Sequence, residues 1–322
     1  MRYTVRHVTR FTYETPISES VMEARMQPRS DGQQRCLHFA LSTTPASRVM
    51  LYQDHDGNTV HHFNVPGRHS NLTLTAEALV DCTPPAEVPD RLDAGAWDRV
   101  DTHAASGEFW ELIAQSQFVK KTDPLFEFAR SIDLTRGDDP LSTLRYLMAQ
   151  MYEQFEYSPH STRVDSEINE ALSARRGVCQ DFSHIFIALA RHLGVPTRYV
   201  SGYLFRDVTI ANRSSDGATH AWAEALIPDF GWVGFDPTNN LIAGGGHIRV
   251  ALGRDYADVP PTRGVYKGVS AVRSELAVAV RIGPVQSPQL VDVVPFTPWM
   301  SRDASAPLRD NEPDEQQQQQ QQ

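Results

Sequence analysis

Apolar and polar residues alternate along most of the first 85 residues of this chain, and this alternation constrains its fold more than any other feature. The pattern is clearest in RYTVRHVTRFTY, RCLHFALST, RVMLYQDHDGNTVHHFNV and NLTLTAEALVDC, with the turn sequences SDGQ and HDGN among them. Successive side chains of a strand point to opposite faces of a sheet, so the pattern is typical of strands that are buried on one face. The sequence therefore predicts an antiparallel, sandwich-like β domain over residues 1–88.

A second domain, with helices as well as strands, is predicted over residues 105–283. It follows CTPPAEVPD, whose three prolines are typical of a linker. Helices are predicted over 106–118 and 123–131, and another begins at Asp139-Pro140, because Asp before Pro is a common helix start. TRYVSGYLF, ATHAWAEALI and GWVGFDPTN have the pattern of strands. Helices followed by strands indicate the α+β fold class.

Length, cysteine content and charge exclude several classes of protein. The 322 residues, 40% of them hydrophobic, are enough for a sizeable core. Three scattered cysteines form neither a disulfide framework nor a zinc-binding pattern, which predicts a reducing compartment and a cytoplasmic location. The net charge of −10 argues against a nucleic-acid-binding surface. The first residues have a strand pattern rather than that of a signal peptide, and no apolar run of about 18 residues predicts a membrane span.

The last segment, residues 284–322, has a different composition from the rest. It is rich in Pro, Asp and Glu and ends in seven glutamines. Residues 301–322 contain so few large apolar residues that they cannot bury much surface, and we predict that the segment 284–322 is mostly disordered.

The segment RRGVCQDFSHIFIALARHLGVP places a cysteine where a helical pattern begins. From Cys179 onward, apolar residues recur at the spacing of one helix face, and a glycine and a proline end the pattern. Unpaired N–H groups and the helix dipole favour an anion at a helix N-terminus, so a thiol there becomes a better nucleophile. The same N–H groups suit the oxyanion of an acyl-transfer intermediate. The plainer interpretation is a small buried hydrophobic residue.

A histidine and an aspartate follow in THAWAEALIPDFGWVGFDPTNN, which has the pattern of a β-hairpin with its turn near residues 228–231. In such a hairpin Asp236 lies beside the strand that carries His220. Whether the carboxylate reaches the imidazole depends on the register, which the sequence leaves open.

Three blocks in this order, RRGVCQDF, THAWAEA and GWVGFDPTNN, resemble the motifs of the transglutaminase-like superfamily of papain-type cysteine enzymes. The resemblance extends over most of residues 140–283, and HIRVALGRDYADVPPTRGVYKG looks like the continuation in bacterial members. Residues 1–85 are similar to the β domain that precedes the catalytic domain in one bacterial subgroup. The resemblance implies a papain-like core, in which a helix carrying the cysteine packs on an antiparallel sheet carrying the histidine and the aspartate.

The resemblance also implies a reaction and roles for three residues. Cys179 is the expected nucleophile, His220 the general base and acid, and Asp236 the residue that orients the imidazole. The expected reaction is acyl transfer through a thioester on peptide, isopeptide or carboxamide bonds of a peptide or protein substrate, without a cofactor. Hydrolysis by a protease or amidase is favoured. The alternatives are a protein-glutamine transglutaminase that forms cross-links and a catalytically silent binding or scaffold module.

Other residues near these motifs have two interpretations each. Animal transglutaminases have a tryptophan upstream of the cysteine that helps to hold the oxyanion, but none stands between Trp110 and Cys179 here. Tyr157 and Gln180 are the candidates for that contact. The remaining candidate substrate contacts are Asp181, which equally suits a helix cap, Trp222, which we expect to pack beside the strand, and Glu224, which equally suits an arginine partner.

A histidine- and aspartate-rich segment near residue 55 resembles a metal site only superficially. DHDGN is a turn sequence, and a hairpin turn explains its acids and glycine without an ion. We therefore predict no metal there or elsewhere in the chain. The residues concerned are Asp54, His55, Asp56, His61 and His62.

Overall fold

The structure is a computed structural model that describes residues 1–159, 161–205, 213, 217–268 and 273–285. Most of the predicted disordered tail, from residue 286 onward, lies outside the described residues. None of the helices described here is both long enough and apolar enough to cross a membrane.

The described residues form thirteen strands and five α-helices. The strands are β1 (Arg2–Ala24), β2 (Gln34–Thr44), β3 (Val49–Gln53), β4 (Thr59–Cys82), β5 (Glu156–Tyr157), β6 (Arg176–Gly177), β7 (Thr197–Leu204), β8 (His220–Ile227), β9 (Gly231–Asp236), β10 (Leu241–Ile242), β11 (His247–Gly253), β12 (Thr262–Lys267) and β13 (Ser274–Pro284). The helices are α1 (Ala96–Ala105), α2 (Asp123–Ser131), α3 (Pro140–Gln154), α4 (Ile168–Ala174) and α5 (Cys179–His192).

The N-terminal sheet is antiparallel and has six strands, with β1 and β4 in its middle. Both central strands are long, and their pairing is interrupted by irregularities between Thr12 and Glu19. On one side of this interruption β13 and β2 flank the central pair, and on the other side β12 and β3 do so. Phe11 and Leu74 from the first half share one buried cluster with Met22 and Phe63 from the second. The predicted antiparallel β region with an apolar inner face is present.

The chain returns to this N-terminal sheet after the second sheet has been completed. Strands β12 and β13 pair with β1, so residues 262–284 belong to the N-terminal sheet by hydrogen bonding. The predicted second domain, 105–283, therefore includes two strands of the first sheet. The division into domains itself stays a prediction.

The second sheet has the order β10-β9-β8-β7-β11 and is antiparallel. Helix α5 packs against β8 and β7. Its predicted apolar stripe is buried, but so is every residue from Asp181 to Arg191. The helix is enclosed on all sides because α2, α3 and α4 also pack against it. The predicted α+β arrangement, with a cysteine helix on an antiparallel sheet, is confirmed.

The predicted helices before residue 160 are partly right. The helix over 106–118 is wrong: α1 ends at Ala105, Gly107 has a φ of +76°, and only a short 3₁₀ turn follows at Trp110–Leu112. Residues 123–131 do form α2, although Thr122 is its N-cap. Asp139 caps α3 as predicted, accepting a hydrogen bond from the Ser142 N–H at 2.9 Å.

Candidate active site

The loop before α5 places Cys179 at the first position of the helix. This loop is fixed by two short parallel strands, in which Tyr157 of β5 pairs with Gly177 of β6. Gly177 is required at this point, because a Cβ there would lie 2.8 Å from a carboxylate oxygen of Asp181. The thiol of Cys179 is half-buried at the end of an otherwise buried helix.

Asp181 caps the start of this helix and does not line the cavity at Cys179. Its Oδ2 accepts hydrogen bonds from the N–H of Val178 at 2.8 Å and from the hydroxyl of Thr162 at 2.5 Å. Burial raises the pKa of this carboxyl to about 6, although the two hydrogen bonds act in the opposite direction. Of the two interpretations offered by the sequence, the helix cap is the one that these contacts support.

His220 and Asp236 are brought together by the hairpin of β8 and β9. Nε2 of His220 lies 2.7 Å from Oδ2 of Asp236, and both side chains are buried. Ala223 pairs with Phe235 in the hairpin, so its register places the last residue of β9 next to the start of β8. The register that the sequence left open therefore joins the imidazole to the carboxylate.

Asp236 is held by donors at both of its oxygens. Oδ1 accepts hydrogen bonds from the backbone N–H groups of Thr238 at 3.1 Å and Asn239 at 3.3 Å. Oδ2 accepts from the side-chain amide of Asn239 at 2.7 Å as well as from His220. Burial acts to raise the pKa of Asp236, but His220 and His247 outweigh it and hold this pKa far below its usual range. The carboxylate is therefore ionised at neutral pH.

The environment of His220 favours its charged form. Burial would lower the pKa of the imidazole, but the charge and hydrogen bond of Asp236, together with Cys179, raise it to about 10. Since Asp236 occupies Nε2, the ring nitrogen left for the thiol is Nδ1. Nδ1 is buried and has no hydrogen-bond partner among the described residues. His220 and Cys179 line the same cavity.

Trp222 packs behind the histidine rather than beside the thiol. It is fully buried, and its ring stacks on that of His220 with centroids 5.9 Å apart. A glycine on the neighbouring strand β7 makes room for it, because a Cβ at Gly202 would lie 2.7 Å from its six-membered ring. Trp222 is thus a packing residue, as its strand position suggests.

Glu224 is the partner of two arginines. Its Oε2 accepts hydrogen bonds from Nε and Nη2 of Arg198 at 2.9 and 2.7 Å, and its Oε1 lies 3.4 Å from Nη1 of Arg249. These contacts support the arginine-partner interpretation, and Glu224 does not line the cavity at Cys179.

A cavity of about 320 Å³ opens at Cys179. Tyr157 and Gln180 both line it, so the two candidate oxyanion contacts lie near the thiol. The amide of Gln180 donates to the carbonyl of Val164 at 2.8 Å. The lining also includes Leu276 and Val278 from β13 of the N-terminal sheet. The cavity therefore lies between the two sheets.

Sequence reasoning missed His247, whose Nε2 lies 3.2 Å from Oδ2 of Asp236. The strands β10 and β11 form opposite edges of the second sheet, so the chain between them must cross from one edge to the other. That crossing brings His247 to Asp236. The sequence does show a histidine at a polar position of the alternating segment HIRVALG, directly after a run of glycines. No local pattern, however, predicts which residue that histidine contacts.

The three side chains His220, Asp236 and His247 also have the composition of a metal site, with one ligand atom each within 4.8 Å of one another. Their hydrogen bonds indicate another use. The N–H of Gly244 donates to Nδ1 of His247 at 3.2 Å, so the ring proton must reside on Nε2, which faces Asp236. A protonated Nε2 is a donor and cannot bind an ion.

The DHDGN segment folds as the predicted turn. Oδ1 of Asp54 accepts from the backbone N–H groups of Asp56 at 3.2 Å and Asn58 at 2.9 Å, and Gly57 has a φ of +70°. Nε of Arg25 donates to Oδ2 of Asp54 at 3.1 Å. The turn geometry and one ion pair account for this acid.

Comparisons with known proteins agree with this architecture. The family model of the transglutaminase-like superfamily matches residues 127–237, and that of the bacterial transglutaminase-like N-terminal region matches residues 3–81. An uncharacterized protein of Mycobacterium tuberculosis is 34% identical over 302 residues, which are 90% of this chain and 95% of that protein. One of Mycobacterium leprae is 31% identical over 281 residues, covering 87% and 98%. The chain belongs to the transglutaminase-like superfamily.

Two further comparisons are relevant to this transglutaminase-like protein. The solved structure of a proposed cysteine protease from Cytophaga hutchinsonii has a TM-score of 0.72 and 20% identity, and the match covers 89% of this chain and 91% of that one. The two proteins share the fold. A protein-glutamine gamma-glutamyltransferase of Pseudomonas aeruginosa is 29% identical over 92 residues, 27% of this chain and 14% of that protein.

Proposed function

We propose that this protein is a cysteine-nucleophile acyl-transfer enzyme that cleaves peptide, isopeptide or carboxamide bonds through a thioester on Cys179. The observation that carries the proposal is the buried pair of His220 and Asp236, 2.7 Å apart, in one cavity with a cysteine at a helix N-terminus. A nucleophile, a base and a group that orients the base are the parts that such catalysis needs.

In the proposed reaction, the thiolate of Cys179 attacks the carbonyl carbon of the substrate while His220 carries the proton as an imidazolium. The tetrahedral intermediate collapses to a thioester when Nδ1 of His220 gives its proton to the leaving ammonia or amine. A water molecule then attacks the thioester, and His220 takes up its proton. Collapse of the second intermediate releases the acid and restores Cys179.

The oxyanion of both intermediates requires donors near the thiol. The first-turn N–H groups of α5 have no acceptor within the helix, which makes them the first candidates. Tyr157 lines the cavity and is the proposed side-chain contact, whereas the amide of Gln180 is engaged by Val164.

The cavity walls disfavour a cationic group next to the scissile bond. Tyrosine, valine, proline and leucine make up about half of the described lining, which includes Arg163 but no carboxylate. A lysine amine arriving as the acceptor would find no acidic partner among these residues. This supports hydrolysis of peptide or isopeptide bonds over cross-linking, with a peptide or protein as the substrate. The name of the Pseudomonas aeruginosa relative supports the alternative, a protein-glutamine transglutaminase.

The compartment is a separate proposal. Cys36, Cys82 and Cys179 are all free thiols, and we propose a reducing, cytoplasmic environment.

The distinguishing experiment offers the enzyme a casein-like protein together with a fluorescent primary amine. Both fates of the thioester are followed at once, amine incorporation by gel fluorescence and the release of peptide or ammonia by mass spectrometry and a coupled assay. We expect hydrolytic product with little incorporation, and no product from Cys179→Ala. Cys36→Ala is the matched control, because Cys36 lies on β2 away from the cavity.

The other outcomes separate the alternatives. Cysteine-dependent incorporation without hydrolysis would favour a transglutaminase. No reaction in either assay, together with iodoacetamide labelling of Cys179 that does not depend on His220, would favour a silent binding or scaffold module.

A further inference from the structure

His247 binds the same carboxylate oxygen as the proposed general base. Oδ2 of Asp236 accepts from His220 at 2.7 Å, from the Asn239 amide at 2.7 Å and from Nε2 of His247 at 3.2 Å. With two more donors on Oδ1, five donors surround a carboxylate that offers about four lone-pair sites. His220 and His247 therefore compete for negative charge on one oxygen.

The tautomer of His247 is fixed by the loop that carries it. The Gly244 N–H donates to Nδ1, which leaves the proton on Nε2 and makes His247 a neutral donor to Asp236. The ring of His247 also meets that of Trp222 edge-on, with centroids 5.1 Å apart. Two contacts thus hold the ring while its N–H is aimed at the carboxylate.

His247 differs from the other supports of Asp236 in where it comes from. Thr238 and Asn239 are within three residues of Asp236 and move with the same turn. His247 belongs to β11, at the opposite edge of the sheet. Among the described hydrogen-bond partners of Asp236, only His220 and His247 lie on other strands.

We propose that His247 is a positioning residue: its Nε2–H holds Oδ2 of Asp236 and limits how strongly that carboxylate binds the imidazolium of His220. The inference rests on the proposed function. A hydrogen bond to the ionised form of a carboxylate withdraws charge from it. Removing that bond makes Asp236 a stronger partner of His220, so the imidazolium should persist to higher pH.

Few other ionisable groups face these rings. Cys179 approaches His220 from α5, and Asp236 approaches it from β9. Glu224 and Arg249 line the small cavity next to His247, where they are paired with each other. The rings of His220 and His247 also lie 6.1 Å apart, so a change in the titration of His220 is attributed to Asp236 by comparing a variant that lacks the N–H with one that keeps it.

The test compares His247→Phe with His247→Gln in the full-length protein. Phenylalanine keeps a ring against Trp222 and removes the donor, whereas glutamine keeps an N–H at about the same reach and removes the ring. The rate of Cys179 alkylation by iodoacetamide is measured from pH 4 to 11 by peptide mapping, with the melting temperature of each variant. We expect the Phe variant to move the alkaline step upward by about 0.5–1 pH unit, and the Gln variant to keep the wild-type step.

Several results would overturn the inference. The N–H would not tune Asp236 if the pH profile of Cys179 alkylation in His247→Phe coincided with that of the wild type or shifted to lower pH. The same conclusion would follow if both variants shifted equally. A lower melting temperature in both variants with unchanged profiles would make His247 merely structural. His220→Ala separates the two proposals: if it leaves the wild-type profile unchanged, the proposed function fails, whereas a His220-dependent step that ignores His247 defeats the inference alone.

Discussion

At the scale of residues, the proposed chemistry of this site depends on one buried carboxylate that remains charged. Burial by itself would leave His220 neutral, because removing an imidazolium from water lowers its pKa. The charge and hydrogen bond of Asp236, with a smaller contribution from Cys179, reverse this and raise the pKa of His220 to about 10. The charge of a single side chain therefore decides whether the histidine is an imidazolium at neutral pH.

Asp236→Asn keeps the shape of the side chain and removes its charge. The pKa of His220 should fall from about 10 to below about 6.5, since burial then outweighs the remaining contact with Cys179. We expect hydrolytic activity at pH 7 to fall by roughly 10³–10⁴-fold. The alkaline step in Cys179 alkylation should move to lower pH by several units. Both effects are measured by peptide mapping and product release.

Asp229→Asn is a matched control for this substitution. Asp229 lies in the turn of the same hairpin, its side chain is 65% exposed, and it pairs with Arg99 rather than with a cavity residue. Activity and alkylation should be unchanged in this variant. If Asp236→Asn retained wild-type activity, Asp236 would have no role in charging His220.

At the scale of elements, the start of α5 places the proposed nucleophile, Cys179, two residues before Asp181, a buried acid whose ionised form is disfavoured. Asp181 accepts the N–H of Val178 and so fixes the turn that presents Cys179. Its pKa is nevertheless raised to about 6, because burial outweighs those hydrogen bonds. The cap thus orders the helix start at a cost in stability whenever the carboxyl is ionised.

This cost predicts a pH-dependent stability. Between about pH 4 and 6 the folded protein binds a proton at Asp181 that the unfolded chain releases, so stability falls as pH rises through that window. Asp181→Asn removes the titration. The free energy of unfolding of the wild type relative to this variant should therefore increase by roughly 2–3 kcal/mol from pH 7.5 to pH 4.

Urea unfolding at the two pH values measures this difference. Asp138→Asn, at a side chain that is 80% exposed, is the matched control and should show no such change. If the difference in free energy of unfolding between wild type and Asp181→Asn were the same at pH 4 and pH 7.5, Asp181 would not be a buried cap that ionises in this range.

How much of these elements the sequence predicts depends on how local their cause is. Helix α5 and the β8–β9 hairpin arise from periodicity and turn residues within about 20 positions, and both were predicted. The contact between His247 and Asp236 arises because the chain crosses the sheet between β10 and β11, which no periodicity reveals. The helix over 106–118 was wrong because the segment carries helix-compatible residues but packs little of its surface; Trp110 is 62% exposed.

At the scale of the whole molecule, the two sheets are joined by the return of the chain. Strands β12 and β13 follow the second sheet in sequence but pair with β1; Ser274 of β13, for example, lies opposite Tyr13 of β1. This pairing places β13 in the wall of the cavity at Cys179. The N-terminal sheet therefore contributes to the cavity wall through β13.

That position gives β13 an expected role in substrate binding that is separable from chemistry. Val278 lines the cavity and Ala277, the preceding residue, is exposed and does not. Val278→Thr keeps the side-chain shape but places a hydroxyl where an apolar substrate group would lie, which costs binding because the hydroxyl is desolvated without a partner. We expect KM for an apolar peptide substrate to rise by roughly 5- to 30-fold. Iodoacetamide is too small to depend on contacts with β13, so Cys179 alkylation should stay at the wild-type rate, and kcat should also be unchanged.

Ala277→Thr is the control, because it adds the same hydroxyl to the opposite face of the strand. It should change neither KM nor the rate of Cys179 alkylation. Equal KM values for the two variants would mean that β13 covers the cavity without contacting substrate, whereas a matching loss of alkylation in Val278→Thr would mean that the strand supports the Cys179 helix instead.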